Sequence, residues 1–166
     1  MKHKPIKTIP FNTSKSINKV KAYTQDHQSS SIVSDGKPYS WSGTMERVEI
    51  IRQGIPFSSI EGISDRLNSP VKAVLSIVGM PQTTYNKKKS ERSLLDSRDS
   101  ELIILITELL DFGVEVFNKE EDKFQRWLKK PNLSLGGRTP ESLLDTITGI
   151  DEVRNSLNRI EYGNFA

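Results

Sequence analysis

A chain of 166 residues with 34% apolar and 27% charged side chains suits one domain, or two small ones that share a core. It has no cysteine, which removes disulfides, thiolate nucleophiles and zinc–cysteine sites, and no apolar run approaching the ~20 residues that span a bilayer. The formal charge of +3 is unevenly spread: residues 1–43 carry seven lysines against Asp26 and Asp35, a net +5, and the remainder carries −2.

Residues 1–43 are rich in Ser, Lys, Thr and Asn. Lysines near the start are followed by no apolar stretch, so this is not a secretory signal, and the cytoplasm is the simplest compartment. Ser29-Ser30-Ser31 and Asp35-Gly36-Lys37-Pro38 read as turn or linker chemistry. The whole stretch reads as a basic, solvated extension that can add phosphate affinity, with Tyr39 and Trp41 able to dock on the body. Both histidines, His3 and His27, lie in it. From Thr44 onward the chain therefore lacks the usual general base, the commonest metal ligand and the best nucleophile. No enzyme activity, cofactor or metal is expected.

Helical pattern begins near Thr44, with Val48 and Ile51 three apart, and ends at Gly54-Ile55-Pro56. Ser58 or Ser59 can cap a second helix bearing Ile60, Ile63 and Leu67 on one face. Asn68-Ser69-Pro70 reads as a stop followed by a start. Val71, Val74, Leu75 and Val78 then form a stripe at offsets 0, 3, 4 and 7.

Residues 70–89 read as a helix-turn-helix, with Gly79 in the turn and a second helix over 82–89. Tyr85 faces the core in this reading. Gln82, Thr83, Thr84 and Asn86 project outward, where Gln and Asn can bond adenine and Thr can meet the thymine methyl. Lys87, Lys88, Lys89 and Arg92 suit phosphates, which position a protein on DNA without reading sequence. A polar helix ending in lysines is also an ordinary solvated, dipole-matched surface. Met80 precedes Pro81 where a Ser or Thr cap belongs, so this helix is expected to fray or to start late.

The strongest helix spans 97–118 and carries two stripes. One is Ile103, Ile106, Leu110, Val114 and Phe117; the other is Leu102, Leu105, Leu109, Phe112 and Val116. Such a helix must be covered on two sides. The two halves of the chain can supply both covers, or a homodimer seam can supply one. A helix over 119–130 follows, with Phe124, Trp127 and Leu128 on its buried face and Pro131 as its stop. Gly136-Gly137 permits a tight turn. Thr139 and Pro140 open a short helix through Leu143, Leu144 and Ile147. A last helix from 149–151 buries Val153, Leu157 and Ile160, and Gly163 falls where a left-handed cap belongs. No strand pair stands out, so the fold class is all-α: an extension at 1–43, a helix-turn-helix lobe at 44–96 and a second helical lobe at 97–166.

The second lobe holds Trp127-Leu128, the run PNLSLGGRTPESLLDT at 131–146, Gly149, Val153 and Leu157, and the closing RIEYGNFA at 159–166. In order and spacing these residues resemble the toxin-binding domain of Xre/MbcA/ParS-type antitoxins. The resemblance implies a bacterial antitoxin that masks a RES-type toxin, an enzyme that degrades NAD, and whose own end enters the toxin's NAD-binding cleft. Glu161 and the carboxylate of Ala166 would then meet the cations that hold a pyrophosphate, and Tyr162 and Phe165 the walls that hold aromatic rings, with Gly163 a further toxin-binding position between them. Asn132, Arg138 and Arg159 are supporting contacts in that picture, or equally they satisfy backbone groups of the Gly-rich turn. Operator DNA is the second implied partner, and a homodimer is expected because paired recognition helices read two half-sites. The rival reading is a stand-alone transcription regulator with no toxin partner; a third is a membrane- or RNA-associated protein using the lysine arm.

Overall fold

The structure is a computed structural model and describes residues 29–34 and 36–163. It opens with an antiparallel hairpin, β1 (Ser30–Ser34) and β2 (Lys37–Trp41). Seven α-helices follow: α1 (Thr44–Gln53), α2 (Ser59–Leu67), α3 (Val71–Val78), α4 (Gln82–Ser90), α5 (Ser97–Val116), α6 (Glu121–Leu128) and α7 (Ile147–Glu161). Single 3-10 turns at Leu133–Leu135 and Pro140–Leu143 join α6 to α7. The all-α class is right for the body, and the hairpin corrects the expectation that no strands pair.

Helix α5 organises the core. Leu102, Ile103, Ile104, Ile106, Leu109 and Leu110 are all buried, each worth about 1.5–3 kcal/mol. Helices α1 and α2 with strand β1 cover one side and α7 covers the other, so a single chain supplies both covers. Asp96 caps α5, its carboxylate accepting from the Asp99 amide at 2.8 Å. Farther along, Gly113 admits the ring of Phe124: a Cβ there would lie 2.2 Å from it.

The hairpin belongs to this body. Register pairs Ser30 with Trp41, Ile32 with Tyr39 and Ser34 with Lys37, which puts those six residues on one face. Ile32 and Trp41 are buried in the core. The Trp41 indole donates to Glu108 of α5 at 2.8 Å, and Arg47 of α1 donates to both oxygens of the same carboxylate at 3.1 and 2.9 Å. Docking of Tyr39 and Trp41 on the body is therefore what the structure contains, while residues 1–28 and Asp35 lie outside the described residues.

Helix starts depart from the sequence expectations at several points. Neither Ser58 nor Thr139 makes a side-chain cap, and Pro70 precedes α3 instead of opening it. Thr146 does cap α7, its hydroxyl accepting from the Gly149 amide at 3.1 Å, so α7 takes Ile147 from the short helix expected before it. The C-terminal helices are tied to the end of α2: Lys129 donates to the Asn68 carbonyl at 2.7 Å, and Ser69 donates to Glu141 at 2.7 Å.

Candidate functional site

Two surfaces carry the residues singled out above, one at α4 and one formed by the Asn132 loop and the end of α7. Helix α3 stops at Gly79, whose left-handed φ of 76° lets the Met80 amide reach back to the Leu75 carbonyl at 2.8 Å. The chain turns, Pro81 takes an extended conformation with φ −64°, and α4 starts at once at Gln82. The expected fraying is absent: the fixed φ of proline replaces the missing hydroxyl cap, and the Tyr85 amide closes the first turn on the Pro81 carbonyl at 3.0 Å.

Tyr85 is the sole buried residue of α4, 4% exposed and 6.5 Å from the ring of Phe57. Gln82, Thr83, Thr84, Asn86, Lys87, Lys88 and Arg92 are all exposed. Gln82 donates to the Asn86 amide oxygen at 3.0 Å, so these two amides are already aligned on one face. Lys89 differs from its neighbours. It pairs with Glu61 of α2 and lies 5.9 Å over the Tyr85 ring. The bond to Glu61 raises the Lys89 pKa, while burial and then the Glu61 charge raise that of Tyr85. Lys88 reaches Glu91 at 3.8 Å, a weak exposed pair. Lys87 and Arg92 have no ion pair among the described residues.

At the other surface, the loop after α6 is built around Asn132. Its side chain accepts from the Ser134 amide and hydroxyl at 3.0 Å each and donates to Ser156 of α7 at 3.4 Å. Its backbone bonds Arg138 and Gly137 at 2.9 Å. The side chain thus holds the Gly-rich turn on α7. Arg138 is exposed and Arg159 half-buried. Glu161, Tyr162 and Gly163 project at the end of α7; Tyr162 is 70% exposed, and Gly163 has the left-handed φ of 66° its position requires. Phe165 and Ala166 lie outside the described residues.

Sequence reasoning missed one strong feature here. Leu133 stands 95% exposed at the tip of the loop. Beside it runs a groove of about 440 Å³ lined by Trp127, Pro131 and the cations Lys123, Arg126 and Lys130. Trp127 stacks on Phe124 with 6.1 Å between ring centroids, as its place on the apolar face of α6 requires, yet its outer face lines that groove. The signal available was Leu133 itself, an apolar residue between two polar ones in a turn.

Comparison with known proteins bears on both surfaces. Residues 46–107 match the antitoxin Xre-like helix-turn-helix domain, and residues 113–163 match the antitoxin Xre/MbcA/ParS C-terminal toxin-binding domain. An "Antitoxin Xre" of Photorhabdus laumondii is 32% identical over 69% of this chain and 77% of its own. The chain belongs to the Xre/MbcA/ParS-type antitoxins. A second "Antitoxin Xre", from Yersinia enterocolitica, is 29% identical over 72% of this chain and 80% of its own. A "Prs ADP-ribosylating antitoxin" of a Sphingobium species is 30% identical over 74% and 82% respectively. As an antitoxin of this type the protein neutralises a toxin and carries a DNA-binding helix-turn-helix domain. Helix α4 lies within the first matched stretch, and the Asn132 loop with the end of α7 lies within the second. The hairpin lies in neither. Among the described residues no helix is long and apolar enough to cross a membrane, and no cluster of acidic side chains is arranged to hold a metal.

Proposed function

We propose that this antitoxin neutralises a RES-family, NAD-degrading toxin by lodging its C-terminal segment, 159–166, in the toxin's catalytic cleft. The observation that carries the reading is the uncovered end of α7, where Tyr162 and Glu161 stand clear of the core while the rest of the helix is anchored by Val153 and Leu157. An aromatic ring held rigidly on a helix end buries much area on docking at small entropic cost. Glu161 beside it suits a cleft whose cations normally hold a pyrophosphate. Arg159 on the last turn of α7 and exposed Arg138 of the Gly-rich turn are further contacts in this reading, and Leu133 supplies a second apolar contact outside the cleft. The name of the Sphingobium relative, which refers to ADP-ribosylation, supports an NAD-consuming toxin, since NAD is the usual ADP-ribose donor.

Inhibition in this reading is steric and needs no chemistry from the antitoxin. Removing 163–166 leaves fold and DNA binding intact and weakens neutralisation. The test is co-expression with the neighbouring toxin gene product, followed by pull-down and an NAD assay. Full protection by the truncated protein rules out the plug; absence of any complex rules out the toxin assignment.

The second role is autorepression. Exposed Gln82, Thr83, Thr84 and Asn86 on α4 read operator bases, and Lys87, Lys88 and Arg92 contact phosphates. Lys89 is held back from that set by Glu61. A homodimer presents two such helices to two half-sites. Titration of a promoter duplex at rising salt tests this role, with a steep fall in affinity expected.

A further inference from the structure

The hairpin borders the DNA-reading helix, and its inward face ends in a cation. Along β2, Trp41 is buried, Tyr39 is half-buried and Lys37, the last of the row before the turn, is exposed. Between this row and the end of α4 lies a groove of about 670 Å³. Lys37 and Tyr39 line one wall; Lys89, Ser90, Arg92 and Ser93 line the other. Among the described residues no carboxylate lines it.

Its three cations are not equivalent. Lys89 is committed to Glu61, whereas Lys37 and Arg92 have no ion pair among the described residues. Arg92 also sits in a left-handed conformation, φ 52°, where its amide reaches the Lys89 carbonyl at 3.0 Å and the next amide, of Ser93, reaches Lys88 at 3.0 Å. That is the position at which glycine normally closes a helix. Backbone geometry alone disfavours arginine there.

We propose that this groove grips a backbone phosphate of duplex DNA between Lys37 and Arg92, beside the bases that α4 reads. The proposal rests on α4 being the DNA-reading helix. A phosphodiester offers oxygens that accept charge-assisted bonds from an ammonium on one side and a guanidinium on the other, and the hydroxyls of Ser90 and Ser93 add neutral donors. The hairpin thereby acts as a clamp that fixes the angle of α4 to the duplex.

The experiment measures binding of the full chain to its own promoter duplex and to a mixed-sequence duplex of equal length, across a salt series. The double variant Lys37→Ala/Arg92→Ala reduces the slope of log affinity against log salt by about 0.9, the value of one phosphate contact; each single variant reduces it by less, and all weaken both duplexes by the same factor. Gln82→Ala weakens only the promoter duplex. Arg92→Gly weakens DNA binding while the melting temperature holds or rises, which separates this role from a structural one. Unchanged slopes for the Lys37 and Arg92 variants, with Gln82→Ala still selective, overturn the clamp and leave α4 as the reading helix. A parent protein that binds neither duplex overturns both. Inorganic phosphate alone binding as tightly as duplex reassigns the groove to small anions and also overturns the proposal.

Discussion

Helix α4 buries one side chain, Tyr85, and gives the rest of its surface to amides, hydroxyls and lysines, whereas the C-terminal end leaves Leu133, Tyr162 and one face of Trp127 uncovered. Both ends are held by the same core. They differ in the force each offers a partner. Lysines near a polyanion act at range and are screened by salt. Uncovered rings and a leucine act only on contact, and salt affects them little. One chain can thus serve two partners without one surface imitating the other.

The contrast can be broken at its root. Leu109→Asp puts an unpaired charge at the centre of α5 and should cost at least ~4 kcal/mol, abolishing both activities together. A near-normal thermal melt would refute the two-sided burial of α5. Ionic strength should separate the ends without mutation. Raising salt from about 50 to about 200 mM should lower DNA affinity roughly a hundredfold if about four phosphates are contacted, while toxin affinity, resting on Glu161 for charge and on the rings and Leu133 for most of its contact area, falls much less. Equal sensitivity in two parallel titrations would mean that both ends bind through charge. Leu133→Ala combined with Tyr162→Ala should weaken the toxin complex about tenfold or more and leave DNA binding alone, as surface plasmon resonance with each partner would report. The smallest expected effect is a gain. Glu61→Gln frees Lys89 and should steepen the salt dependence of DNA binding by up to one phosphate contact; an unchanged slope would show that Lys89 does not face the duplex.

Much of this was readable in the sequence because burial imposes periodicity. The stripes of α5, the 0, 3, 4, 7 spacing of α3 and the position of Tyr85 all follow from one helix face meeting a core. The outward residues of α4 were legible by subtraction once Tyr85 was placed inside. The hairpin was not. Asp35-Gly36 between alternating residues is a strong turn signal. However, the inward row of β1 is Ser30, Ile32 and Ser34, two of its three side chains small and polar, and Pro38 argues against a strand. Those serines are buried because the hairpin packs close to α2, where a Cβ on Gly62 would lie 3.1 Å from the Val33 carbonyl. Close approach of backbones leaves no hydrophobic trace. Capping was also misread at Ser58 and Thr139, since hydroxyl residues can flank a helix start without bonding to it. Asn132 had two open readings, and its bonds to Ser134 and Ser156 make it the latch of the Gly-rich turn. Leu133, apolar between two polar residues, was a local hint, but its prominence follows from loop direction, which such a pattern only suggests.

The two matched stretches meet inside α5, the first ending at residue 107 and the second beginning at 113. No linker separates them. A continuous 20-residue rod, about 30 Å long, passes through both. If toxin and operator are held as proposed, a rigid body and not a tether joins them. A captured toxin would then keep one fixed placement against the duplex, and the spacing of neighbouring copies along an operator would decide whether two such captives fit side by side or collide.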